Sequence, residues 1–171
     1  MPFTSIRDAV HRTIKHLTEQ PEKTRSTDRP ATATIEEGLR CRVEGPGGWT
    51  IVTDMPKALG GGAAAPTPGW LSRASQASCL ATVITMRSAQ EGIALSQLEV
   101  VVDSESDSRG LLGIDDSVPA GPLTSRARVR IAAAGVAPER LREIVRWADG
   151  HSPVSDAIGR ATPRTVEIDA S

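Results

Sequence analysis

The sequence predicts an α+β protein in which antiparallel strands pack on one long central helix. Stretches around residues 39–43, 98–102 and 127–131 alternate with period two, and residues 4–20, 68–91 and 138–149 follow the helical period. The order in which they succeed one another, β-β-α-β-β-α-(α)-β, is that of strands with helices packed on a face.

Residues 4–20 carry Ile6, Val10, Ile14 and Leu17 at helical spacing, with Thr4 or Ser5 as cap, and form an amphipathic peripheral helix. Residues 21–31 are polar with two prolines, which makes a linker. The domain reading is therefore an N-terminal helix and linker over 1–31 and a single domain over 32–171. From about Thr34 the chain reads as a half-buried strand, with Leu39, Cys41 and Val43 on one face and Arg40, Arg42 and Glu44 on the other. The turn GPGG at 45–48 leads to a returning strand over 49–53. A flexible Gly/Ala run then reaches Pro66 and Pro68, and after Gly69 neither glycine nor proline occurs again before Gly92. Thr67 is the N-cap of the helix that follows, Pro68 its first residue and Gly92 its stop. Such a helix spans about 36 Å at about 1.5 Å per residue.

Beyond it, Leu98, Val100 and Val102 alternate against Glu99, Val101 and Asp103, and a polar excursion with a Leu111–Leu112 tip follows. Ala127, Val129 and Ile131 face in, while Arg126, Arg128 and Arg130 face out to pair across strands with Glu99 and Asp103. Residues 138–149 form a helix with Leu141, Ile144, Val145 and Ala148 on its apolar face. Residues 155–160 form a short helical piece and 165–168 a last strand.

The central helix has charges only near its ends (Arg73, Arg87, Glu91), as a buried helix does. Cys79 sits on its middle, sharing a face with Ser75, Gln76, Thr82 and Val83; Ala74, Ala77, Ala81 and Ile84 run opposite. A thiol on the more polar stripe of a buried helix can meet a cleft.

Composition narrows the function classes. The 171 residues suit one domain that buries roughly two thirds of its unfolded surface. Twenty basic and 21 acidic residues, mixed along the chain, give a formal charge of −1 and no basic patch, against nucleic acid or a membrane surface as partner. No apolar segment reads as a signal peptide or membrane span, so the expected compartment is the cytoplasm. There the two cysteines, Cys41 and Cys79, are free thiols. No phosphate-binding glycine motif occurs, and His11 and His16 diverge on their helix, so no metal or cofactor is expected. His151 reads first as turn chemistry, with a cap or packing contact near the site as the alternative. A lone cysteine on an apolar helix is ordinarily a small core residue. Reactivity requires a cation, because Cys79 lies far beyond the first turn, where the helix dipole acts. Arg40 and Arg42, on one face of a strand, can supply it.

The run DMPKALGGGAAAPTPGWLSRASQASCLATVITMRSAQEGIALSQLEVVV resembles the OsmC/Ohr family (osmotically inducible protein C and organic hydroperoxide resistance proteins). It shows a D-x-P loop, a Gly pair, P-T-P, a long helix closing on Cys, and G-I-x-L into a strand. The similarity continues through RGLLGIDDSVPAG and APERLREIV into HSPVSDAI, over about residues 34–169. The resemblance implies an intertwined homodimer with two long helices packed between antiparallel sheets. It also implies thiol-dependent reduction of hydroperoxides, with Cys79 as the peroxidatic cysteine and Arg40 activating it, Arg42 being the alternative.

Two positions depart from the family's pattern. Its second, resolving cysteine falls at Ser152, and a hydroxyl forms no disulfide. Its Glu after P-T-P is replaced by Gly69-Trp70, so the arginine is expected to lack its usual partner. Cys41, on the face opposite Arg40, is no evident substitute for the missing cysteine. The resemblance therefore implies either a one-cysteine peroxidase resolved by an external thiol or a non-catalytic dimer. The latter would bind a small apolar ligand between its helices, with Trp70 and Gln76 as binding residues.

Overall fold

The computed structural model describes residues 3–170, which divide into two compact units: Ala9–Ser75, and Gln76 onward together with the chain's start as far as Asp8. Helix α1 (Phe3–Glu19) and helix α2 (Pro68–Gln90) each run from one unit into the other.

In the unit formed by Ala9–Ser75, β1 (Thr32–Glu37), β2 (Arg40–Glu44) and β3 (Thr50–Thr53) make an antiparallel sheet in that order. Where the sequence suggested one strand from residue 34 to 44, the chain instead makes a tight hairpin. Gly38 takes φ 56°, which a residue without Cβ adopts at little cost, and this turns β1 back along β2. Leu39, expected on the inner face, lies in that turn and is exposed. Glu36 has no partner in the β1–β2 register, which shifts between Ile35 and Glu37.

After β3 the chain wraps around one carboxylate. Asp54 is 2% exposed; its Oδ1 accepts the N–H groups of Met55 (2.7 Å) and Gly62 (3.3 Å), and its Oδ2 that of Ala64 (3.0 Å). The Asp54 amide donates to Pro66 O at 3.1 Å. Those amides, Ala64's contributing most, hold the carboxyl below its ordinary pKa; burial opposes them, and the Arg40 guanidinium helps. Gly61 passes so close to the Met55 carbonyl that a Cβ there would lie 2.0 Å from its oxygen. The Gly/Ala run expected to be flexible is thus a folded cradle, because a buried carboxylate left without donors would be far costlier than the ordering of the loop.

Helix α2 begins and ends as expected. Thr67 Oγ1 accepts the Trp70 N–H at 3.1 Å. At the other end Gly92 takes φ 74°, its N–H reaching Ala89 O and that of Ile93 reaching Ser88 O, the paired bonds of a Schellman motif.

In the unit that starts at Gln76, β4 (Leu95–Ser106) and β5 (Pro122–Ala133) pair antiparallel. Helix α3 (Ser108–Leu111) lies in the connection between them, and α4 (Pro138–Gly150) and α5 (Pro153–Gly159) follow. The core joins Leu80 and Ile84 of α2 to Ile144 and Ala148 of α4, with Leu98, Val100, Val129 and Ile131 of the sheet packed against them. On the other face Arg126 and Arg128 pair with Asp103, and Arg130 with Glu99, as the alternation predicted.

Two expectations change. Residues 165–168 form no strand, and Val166 and Ile168 are 66% and 84% exposed; alternation alone does not make a strand without a neighbour to bond. Helix α2 buries Leu80, Ile84, Ser88 and Ala89, whereas Ser78, Thr82 and Met86 along another stripe are exposed in the single chain.

Candidate functional site

The candidate residues fall in both units, and each group has its own geometry. Cys79, Gln76 and Ser152 belong to the unit that starts at Gln76, and Arg40, Arg42 and Trp70 to the other.

Cys79, midway along α2, is half-buried and its thiol is free. Ser152 donates its hydroxyl hydrogen to the Cys79 sulfur across 3.2 Å. Every polar group of Ser152 is held. Its Oγ accepts the Ser155 N–H at 3.3 Å, capping α5; its N–H donates to Asp149 O, and its carbonyl accepts the Asp156 N–H. A hydroxyl carries one hydrogen and two lone pairs, so with a lone pair on an amide its hydrogen is left for the sulfur. Ser152 is fully buried, so its hydroxyl is shielded from water.

The corner that presents Ser152 is braced by its neighbours. His151 Nδ1 lies 2.7 Å from Trp147 O; a carbonyl only accepts, so this nitrogen carries the proton. The imidazole stacks on the Trp147 indole with centroids 3.9 Å apart and planes 12° from parallel. The Arg87 guanidinium of α2 lies 4.5 Å from the centre of the same indole, within cation–π range. Glu91 ties the group together: its Oε1 is 2.8 Å from Arg87 Nε, and its Oε2 accepts from Arg140 Nε of α4 at 2.9 Å. The role first expected for His151, turn chemistry, is therefore joined by packing one residue from Ser152. Gln76, expected to line a cleft, accepts the Ser125 hydroxyl at 3.0 Å and ties α2 to β5.

In the other unit Glu36 bridges both candidate arginines. Its Oε2 lies 3.3 Å from Arg40 Nε and its Oε1 3.0 Å from Arg42 Nε, while Arg42 also reaches Glu44 at 3.6 Å. On β1 Glu36 shares a face with Thr34, which pairs with Arg42, so strand alternation puts it beside both arginines. Arg40 therefore does not lack a carboxylate: Glu36 binds it, and the Arg40 charge contributes to the lowering of Asp54. The sequence reading missed Glu36 because it ran one strand through the turn; the signal was Glu36-Glu37-Gly38, acids before a glycine with arginines four and six residues on. Trp70 is 51% exposed at the start of α2, and Cys41 is half-buried and unpaired with Cys79.

Among the described residues no cluster of His, Cys, Asp and Glu could hold a metal ion, and no helix is long and apolar enough to cross a membrane.

The sequence model of the OsmC-like protein family matches residues 60–167. The chain belongs to the OsmC-like family. Its fold recurs in solved structures of this family at low identity. An OsmC-like protein from Mycoplasma pneumoniae, 13% identical, superposes with a TM-score of 0.67 over 79% of this chain and 89% of its own. An organic hydroperoxide resistance protein, OsmC, from Legionella pneumophila is 20% identical, with a TM-score of 0.58 over 79% and 91%. The organic hydroperoxide resistance protein OhrB of Bacillus subtilis is 19% identical, with a TM-score of 0.50 over 77% and 90%. No curated protein shows significant similarity to the chain. In this OsmC-like chain the hydroxyl on the Cys79 sulfur belongs to Ser152.

Proposed function

We propose that this OsmC-like protein is a thiol-dependent organic hydroperoxide reductase of oxidative stress defence that works through one cysteine, Cys79, as a homodimer in a reducing cytoplasm. The observation that carries the reading is the free, half-buried Cys79 thiol with a hydroxyl donor on its sulfur, in a chain of this family. Two relatives described as organic hydroperoxide resistance proteins point to the substrate class.

The Cys79 thiolate attacks the terminal oxygen of the hydroperoxide. The O–O bond breaks, the alkoxide leaves and takes up a proton as the alcohol, and the sulfur becomes a sulfenic acid. Ser152 cannot capture it. An external thiol attacks the sulfur instead and water leaves; a second thiol then attacks the mixed disulfide and frees Cys79. Arg40 supplies the positive charge that favours the thiolate, with Arg42 the alternative. Glu36 orients them in place of the acid missing at Gly69-Trp70, a role supported by its 3.3 and 3.0 Å contacts. Residues 32–171 form the working domain, and 1–31 are an addition to it. Exposure of Ser78, Thr82 and Met86 along α2 in the single chain supports a second copy packing there.

A second reading, binding of a small apolar ligand without catalysis, is favoured by an open cleft of about 400 Å³ lined by Ile6, Ala81, Thr82, Thr85 and Met86. Trp70 and Gln76 are its further candidate contacts. The test is consumption of an organic hydroperoxide with a monothiol or dithiol as reductant. The parent and Cys41→Ser are expected to turn over and Cys79→Ser to be inactive. A parent that consumes no peroxide with either reductant leaves the ligand-binding reading.

A further inference from the structure

The hydrogen bond on the sulfur comes from a residue that has no thiol of its own, and its neighbours hold it on target. We propose that Ser152 governs the reactivity of Cys79 by donating its hydroxyl to the sulfur, and that stacking of Arg87, Trp147 and His151 aims it there. The proposal rests on reading Cys79 as the reacting sulfur, and it adds a serine to the residues that govern it.

A hydrogen bond to the charged form of a group stabilises that form, and a fully buried donor is shielded from water. Ser152 meets both conditions: it is 0% exposed and 3.2 Å from the sulfur. The Ser155 amide occupies an Oγ lone pair, which leaves the hydroxyl hydrogen free to follow the sulfur.

The aim comes from the end of α4. Trp147 is packed against the core of this unit, His151 lies flat on it, and the Arg87 guanidinium lies over the same ring. Arg87 stands two turns beyond Cys79 on α2, so the contact fixes the α4–α5 corner relative to the helix that carries the thiol. Trp147 and His151 touch no reacting atom; they are positioning residues.

The experiment measures the rate of Cys79 alkylation by iodoacetamide as a function of pH, in a Cys41→Ser background so that a single thiol reports. It needs no peroxide, so its outcome is independent of whether the protein turns over hydroperoxides. Ser152→Ala and Ser152→Gly both remove the donor, but glycine keeps most of the capping preference that alanine loses. Both variants are expected to slow alkylation roughly tenfold at neutral pH, as loss of a hydrogen bond to a charged group predicts. Ser152→Thr retains the hydroxyl and is expected to keep the parent profile. Trp147→Leu is expected to slow alkylation by less. Profiles of Ser152→Ala and Ser152→Gly that superpose on the parent overturn the proposal. So does slowing in the alanine variant alone, since the start of α5 and not the hydroxyl would then be responsible. A Trp147→Leu profile identical to the parent overturns the aiming role of the stack.

Discussion

The two groups of candidate residues are built from opposite materials. At Cys79 the contact on the sulfur is neutral, the hydroxyl of the fully buried Ser152, and the charges of Arg87, Glu91 and Arg140 lie beyond it, around the Trp147 indole. Around Arg40 the contacts are charged and partly solvated, with a carboxylate between two guanidiniums whose side chains are 43% and 46% exposed. The first kind of arrangement depends on shape and hardly on ionic strength. The second can be screened, and its value falls with salt.

The contrast is tested most severely at Ser152. Ser152→Cys puts a second sulfur where an oxygen now lies 3.2 Å from Cys79, and mild oxidation is expected to close a disulfide, leaving Cys41 as the titratable thiol. Thiol titration before and after oxidation reads this directly; a full thiol count after oxidation would contradict the geometry of the neutral region.

A smaller effect is expected at Asp54, which belongs to the charged region but is itself buried. Its carboxyl is held below its ordinary pKa, so the stability it adds is fully present above the unfolded value and disappears as pH falls through the folded one. Asp54→Asn is therefore expected to lower the urea midpoint most at neutral pH, with parent and variant converging in acid. A difference that stays constant across that range would mean that the charge does not hold the loop. The smallest effect is expected from Glu36→Gln, at most about 1 kcal/mol for partly exposed pairs, shrinking further in about 1 M salt. Urea unfolding at two salt concentrations measures it, and a loss that does not shrink with salt would place Glu36 with the neutral contacts.

Much of the fold could be read because local chemistry and packing agree there. Thr67-Pro68 and Gly92 bound α2 with the bonds that such residues make, and the Arg126, Arg128, Arg130 face meets Asp103 and Glu99 because period two leaves it no other place. The misreadings arose where one residue redirected the chain. Gly38 splits what alternation made one strand, since period two continues in sequence across a turn that a single left-handed residue provides. Residues 165–168 have the pattern of a strand, but a pattern supplies no bonding partner. For the site, motif order singled out Cys79 and Ser152 together, and the hydroxyl–sulfur bond was invisible because it joins residues 73 positions apart. Glu36 was missed for the same reason as the hairpin that brings it to Arg40 and Arg42.

The cradle around Asp54 has a consequence for how this segment can vary. One carboxylate collects amides from positions 55, 62 and 64, and the backbone folds back so tightly at Gly61 that only hydrogen fits on its α-carbon. The side chains of Lys57, Ala58 and Leu59 touch none of those bonds and can drift in identity. The number of residues cannot: an insertion or deletion between 55 and 64 would pull an amide off the carboxylate, so this stretch is a ruler of fixed length leading into α2.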